Sequence, residues 1–362
     1  MTNKMPRWLL VVFFLATPAW PADPLPKLSS TGLFRDISQK LISDSALPYV
    51  PQYPLWSDGA RKRRWIFLPE HSQINTGKAS GPTSSARGNI DYWVFPVGTK
   101  FWKEFSFPDK NNSGSWRRIE TRLLEKTGTT TWNYATYLWN DDESEAELAS
   151  TDGAKNFYPS AAGFTHDIPS RAECTQCHNK GGDAPLGFDA LQLSSDRDPR
   201  APHAEPTTPD DITLASLVDR GLVTYVAPSL VHSPPKIISN TDEGRAAMGY
   251  FHANCGNCHN PTGPAGFTYL LFRYPLLNGG ATTEATSPVF TSAINKTCYQ
   301  FRIPGQTECY RIKPGDVADS SVVVRMKDPV AGPQHRMPPL GTKIPDADAI
   351  ALIEEWVRKL GS

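Results

Sequence analysis

Net charge is the first thing this chain lacks. Its 362 residues carry 37 basic and 37 acidic side chains, a balance that predicts neither nucleic acid nor an acidic surface as a partner. Long apolar runs are also scarce. The one candidate is Trp8–Ala16 (W-L-L-V-V-F-F-L-A), which follows Lys4 and Arg7. It has the length of a secretory leader and is short for a membrane span. Cleavage after Ala19 places small residues at Thr17 and Ala19 and makes 1–19 a signal peptide. No later segment is apolar enough to span a membrane. A nucleophile elbow, a Gly-rich phosphate loop and an H-E-x-x-H site are all missing, which removes the commonest hydrolase, nucleotide-binding and zinc-protease readings. Methionine is rare: Met248, Met326 and Met337 alone remain once the leader is gone.

Six cysteines are present, and four of them are grouped in an unusual way. Glu173–Lys180 reads E-C-T-Q-C-H-N-K and Asn254–Asn260 reads N-C-G-N-C-H-N. Cysteines at i and i+3 lie on one side of a helical turn, and a histidine follows directly. C-x-x-C-H is the attachment signature of c-type haem, with two thioethers and an axial imidazole. A zinc site needs two such pairs close together, and a redox dithiol needs a βαβ setting. The expectation is therefore two covalently bound haem c. Cys174 and Cys177 attach one, with His178 as iron ligand; Cys255 and Cys258 attach the other, with His259. Met337, in the stiff Arg336-Met337-Pro338-Pro339 loop, is the expected second ligand of the later haem. For the first, Met326 and His252 are candidates, followed by His166, His232 and Met248, and an open sixth position is the remaining option. His71, His203 and His335 read as surface or loop residues. Cys298 and Cys309 are expected to close a small disulfide loop, two unrelated buried thiols being the alternative.

Thirty-three prolines and 26 glycines predict short elements and long loops. The reading is α+β and multidomain. A β-rich, sandwich-like domain spans 24–165, with strands expected around 93–107, 119–123 and 131–139. A first haem c region covers 166–237 and shares its pocket with its neighbours. Mostly α-helical cytochrome c-type structure follows, ending in a class I cytochrome c-like domain over 238–362. Its helices are expected from Thr241 to Cys255 and from Asp346 onward, with Ile350, Ile353, Val357 and Leu360 as the buried stripe. The basic run Arg61–Arg64 leads into Trp65–Leu68 and reads as a strand start with a solvated edge.

The runs Y-P-L-W-S-D-G-A-R-K-R-R-W-I-F-L-P, F-P-V-G-T-K, R-I-E-T-R-L-L and I-P-S-R-A-E-C-T-Q-C-H, with the later N-C-G-N-C-H, P-G-D and M-P-P, resemble a family of exported dihaem c-type cytochromes. Members are often encoded beside a parallel β-helix protein. The resemblance covers nearly the whole chain after the leader. It implies an exported dihaem cytochrome, periplasmic or secreted, with a β-helix protein among the candidate partners; the two attachment motifs and the lack of another catalytic constellation favour an electron carrier working with redox donor and acceptor proteins. It names no catalytic residue, so whether the chain is an enzyme is left open, with a carrier favoured. Two alternatives stand: a dihaem peroxidase- or oxidase-type enzyme with one open haem, and a tryptophan-rich binding module wired to the haems. Exposed Trp56, Trp65, Trp132 or Trp139 would support the module.

Overall fold

A computed structural model describes residues 23–76, 93–112, 114–160, 163–178, 184–224, 232–276, 281–298, 301–328 and 336–361. The expected leader and His335 lie outside the described residues. The strands are β1 (Phe34–Asp36), β2 (Leu41–Ile42), β3 (Leu47–Pro48), β4 (Arg61–Phe67), β5 (Lys100–Pro108), β6 (Trp116–Lys126), β7 (Trp132–Trp139), β8 (Ala146–Leu148), β9 (Ala154–Pro159) and β10 (Thr165–Ile168). Strands β3 to β8 form one antiparallel sheet in sequence order, while β1–β2 and β9–β10 are separate two-stranded ribbons. The helices are α1 (Arg171–Cys177), α2 (Leu214–Asp219), α3 (Asp242–Asn254), α4 (Pro288–Ser292), α5 (Ser321–Lys327) and α6 (Ala347–Lys359).

Alternation along the strands builds a sheet with two buried faces. On one face Trp65, Trp102, Leu123 and Ala135 stand opposite one another in register. The N-terminal segment covers them with Leu28, Leu33 and Phe34. On the other, Ile66, Phe101, Leu124 and Tyr134 are in register. Phe188, Leu193, Ile212 and Leu217 cover these from the segment after α1. The sandwich expectation is corrected accordingly: one sheet is buried on one side by the N-terminal segment with β1 and on the other by loop and α2, not by a second large sheet. The strands expected around 119–123 and 131–139 form as β6 and β7, whereas of the expected 93–107 only the part from Lys100 onward is strand, β5.

The expectation of mostly α-helical cytochrome regions is also corrected. The molecule is β-rich, and its largest element is the six-stranded sheet. Among the described residues only α3 and α6 reach 13 residues; the other four helices have five to seven. Proline is the physical reason. Pro185, Pro199, Pro202, Pro206 and Pro209 interrupt the chain between α1 and α2, and Pro261, Pro264 and Pro275 follow α3; each removes a donor and blocks helix continuation. The two longer helices do form as capping and periodicity predict. Thr241 accepts from Gly244 N, and Asp346 accepts from Ala349 N. Ala247 and Phe251 of α3 share a core with Ile350, Ile353, Trp356 and Val357 of α6. Cys298 and Cys309 are disulfide-bonded, with Cα atoms 5.3 Å apart. No helix among the described residues is long and apolar enough to cross a membrane.

The Tyr53–Asp58 segment ties these parts together. The Tyr53 hydroxyl donates to Asp198 (3.0 Å), Trp56 N donates to Asn254 Oδ1 at the end of α3 (2.7 Å), and the Asp58 carboxylate accepts from Lys343 N (2.8 Å) and Ile344 N (3.0 Å). A motif that was opaque in sequence is thus a clamp on the cysteine-bearing helix and on the loop after Met337.

Candidate site where the two cysteine motifs meet

Helix α1 is short and strongly capped. Ser170 Oγ accepts from Glu173 N (3.1 Å), while the Glu173 carboxylate accepts from Ser170 N (2.8 Å), a reciprocal box that nucleates one turn. That turn puts Cys174 against the apolar sheet face beside Leu124. His178 follows the helix with its ring 5.8 Å from that of Tyr134. Its Nδ1 is 2.6 Å from the Ala184 carbonyl. The carbonyl belongs to the residue just before Pro185-Leu186-Gly187-Phe188, and the contact fixes the ring tautomer.

The second motif ends α3. Cys255 packs against the helical core. Gly256 and Gly263 permit the tight return: a Cβ on Gly256 would stand 2.6 Å from the His252 carbonyl oxygen, and one on Gly263 2.3 Å from that of Cys258. Asn260 braces the loop by donating to the Gly256 (2.9 Å) and Asn257 (3.1 Å) carbonyls. The His259 ring meets Phe272 edge-on at 5.5 Å. The Leu270 carbonyl faces this imidazole, yet among the described residues the buried Nδ1 has no well-formed hydrogen bond.

The two motifs, 81 residues apart in sequence, come together at their second cysteines, Cys177 and Cys258, which lie near enough to perturb each other's ionisation. The neighbouring Cys258, then burial, raises Cys177. The neighbouring Cys177 lowers Cys258 despite burial. Burial pushes Cys174 up and Cys255 up to about 12. Both histidines are lowered to about 4, first by burial; Lys103 and Arg122 add to the effect at His178, and Arg325 and Arg311 at His259, against opposing backbone carbonyls. Both imidazoles are therefore neutral at pH 7.

Met326 and Met337 line one cleft with Trp56, Tyr250, Arg336 and Ile344. Met337 N donates to the Arg325 carbonyl (2.9 Å), and Arg336 donates to the Thr342 and Lys343 carbonyls. Neither His178 nor His259 is among the residues lining that cleft. His252 is spent: Nδ1 accepts from Tyr274 N (3.0 Å) and Nε2 lies 3.3 Å from Asp189 Oδ2. His166 is likewise engaged, with Nε2 2.8 Å from Glu120 Oε1. Met248 is fully buried in the helical core, and His232 is exposed. Among the described residues no group of three or more His, Cys, Asp or Glu side chains could hold a metal ion. The expectation of two covalently bound haem c irons is corrected on this finding: the candidate side chains, as placed, build no iron site.

Trp65, Trp132 and Trp139 are buried and Trp56 is half-buried, its Nε1 donating to the Ile344 carbonyl (3.1 Å). Trp65, Trp132 and Trp139 are core and none of the four is exposed, so the surface expected of a binding module is not seen among them. Arg64 departs from the solvated edge expected of the basic run: it is buried and pairs with Glu205 at 2.5 and 3.1 Å. Sequence reading missed Lys103, Glu120 and Arg122; the available signal was charge at every second position of strands whose same-face neighbours are apolar. No protein-family model matches the chain, and no curated protein or solved structure matches it.

Proposed function

We propose that this chain is an exported electron-transfer protein that works between a donor and an acceptor protein outside the cytoplasm. The observation that carries the reading is that the two C-x-x-C-H motifs approach each other at Cys177 and Cys258, with a neutral histidine beside each. Two redox-capable segments brought into contact form a path inside one molecule, whereas a structural role would need only one of them. The Cys298–Cys309 disulfide supports an oxidising compartment. The reading rests on where the sulfurs and imidazoles meet, not on a bound metal.

The test is an equilibrium redox titration of the full chain, purified from a host that exports it. A reversible transition is expected within the range open to biological sulfur and metal centres, about −700 to +450 mV. The double variant Cys177→Ser, Cys258→Ser is expected to abolish or displace it. A flat titration of the wild-type protein overturns the proposal. Intact mass from the same sample reports what the four cysteines carry.

A further inference from the structure

The sheet face that holds Cys174 and His178 also holds a row of cations. Register places Arg64 opposite Lys103 and Lys103 opposite Arg122. Lys62, two residues before Arg64, lies on the same face. Like charges directly opposite one another are destabilising, so each cation needs a counter-group. Arg64 has Glu205 at 2.5 and 3.1 Å, and Arg122 has Glu120 at 2.5 and 3.0 Å. Lys62 Nζ donates to the Leu55 carbonyl at 2.6 Å. Lys103 has no hydrogen-bond or ion-pair partner among the described residues; its Nζ stands 4.9 Å from the centre of the Phe105 ring. Both nearby carboxylates are already spent on arginines, so neither is left to pair with Lys103.

We propose that Lys103, flanked by Lys62 and Arg122, anchors a binding site for the oxyanion group, carboxylate or phosphate, of a small ligand lying beside His178. An oxyanion there supplies the acceptor Lys103 lacks and relieves repulsion across three strands at once. The electrostatics agree in sign. Burial, then Arg64, Lys62 and Arg122, drive the Lys103 ammonium well down, against Glu205. Glu120 from β6 and His178 from the segment after α1 border the same face. An arriving anion favours the charged ammonium, so binding takes up a proton and weakens as pH rises. The site stands independently of the redox proposal, because its readout is binding.

Isothermal titration calorimetry of the full chain at low ionic strength, with sodium phosphate and separately with sodium succinate, tests it. Saturable binding of at least one probe is expected, and which probe binds assigns the source as phosphate or carboxylate. Lys103→Met is expected to weaken binding by about ten- to a hundredfold, the loss of one charge-assisted hydrogen bond. Lys103→Arg should restore it, and the exposed, remote Lys296→Met should leave it unchanged. Thermal melts keep folding separate: the anion should raise the wild-type Tm and leave that of a folded Lys103→Met protein where it was. No saturable heat with either probe, or wild-type affinity in Lys103→Met, overturns the site.

Discussion

Glu120→Ala is expected to cost the fold about 3–5 kcal/mol, the penalty for breaking a buried charge pair from one side. Glu120 is fully buried in β6. Its carboxylate accepts from Arg122 Nη2 (2.5 Å) and Nε (3.0 Å), and lies 2.8 Å from His166 Nε2. Removing it strands a guanidinium over Phe105 and leaves a buried imidazole without its acceptor. It also removes one of the contacts from the β9–β10 ribbon to the sheet, leaving the Tyr158 hydroxyl on the Pro108 carbonyl (3.1 Å) and the packing of Tyr158 and Phe164 on Phe107. Urea unfolding measures the loss; a midpoint within experimental error of wild type would mean that the pair contributes nothing. The pH dependence follows from the same group. Burial alone would raise this carboxyl, but the Arg122 charge and the hydrogen bonds from His166 and Arg122 bring it down to about 2. A depressed carboxyl stabilises the native state above its unfolded pKa, near 4.5, and the contribution fades as pH falls toward 2. About 3 kcal/mol is at stake over that window. Comparing acid unfolding of wild type and Glu120→Gln isolates it, because the variant should lack this part of the pH slope.

Gly249→Ala is the second substitution with a large expected effect, and its sign is opposite to what helix propensity suggests. In an exposed helix interior alanine would gain about 1 kcal/mol over glycine. Here the added Cβ would lie 2.1 Å from Tyr53 Cε1 and 2.3 Å from Cζ. Tyr53 cannot swing aside. It is 1% exposed, its hydroxyl is bonded to Asp198, its N donates to Gln192 Oε1 (2.9 Å), and its carbonyl accepts from Gln192 Nε2 (3.2 Å). Either α3 or the Tyr53 clamp must move, at a net cost of about 3 kcal/mol. Chemical denaturation of Gly249→Ala, Tyr53→Leu and the double variant forms a cycle. The double variant should lose less than the sum of the singles, with a coupling of about 1–3 kcal/mol. Additive losses would show that the ring and the helix do not press on each other. Because α3 delivers Cys255 and Cys258, the same variant should also disturb the Cys177–Cys258 contact.

Much of the local structure was legible. Thr241 and Asp346 were readable as helix caps, and the Ile350–Ile353–Val357 stripe of α6 follows a 3.6-residue period that no other element could satisfy. Leu214 and Leu217 are buried on one face of α2, which Thr213 caps. Where prediction failed, the failure was long-range. Arg64 looked solvated because its neighbours Arg61 and Arg63 are exposed; Glu205, 141 residues away, is what allows it to be buried. His252 looked like a ligand because of its place before Cys255. Asp189 and Tyr274, invisible as partners in the linear chain, occupy its nitrogens.

The sequence by itself determined what depends on neighbours a few residues apart: strand alternation, helix caps, the proline breaks and the Cys298–Cys309 loop. Each is governed by backbone sterics, local hydrogen bonds or short-loop closure, which act within a turn or two of chain. Only the packed molecule decides that one sheet is buried on both faces without a second large sheet, that Cys177 and Cys258 approach each other across 81 residues, and that Lys103 stands among cations with no hydrogen-bond or ion-pair partner among the described residues. Those outcomes depend on which apolar faces pack together. That packing is non-directional and set by the whole buried surface at once, so no short window of residues contains it.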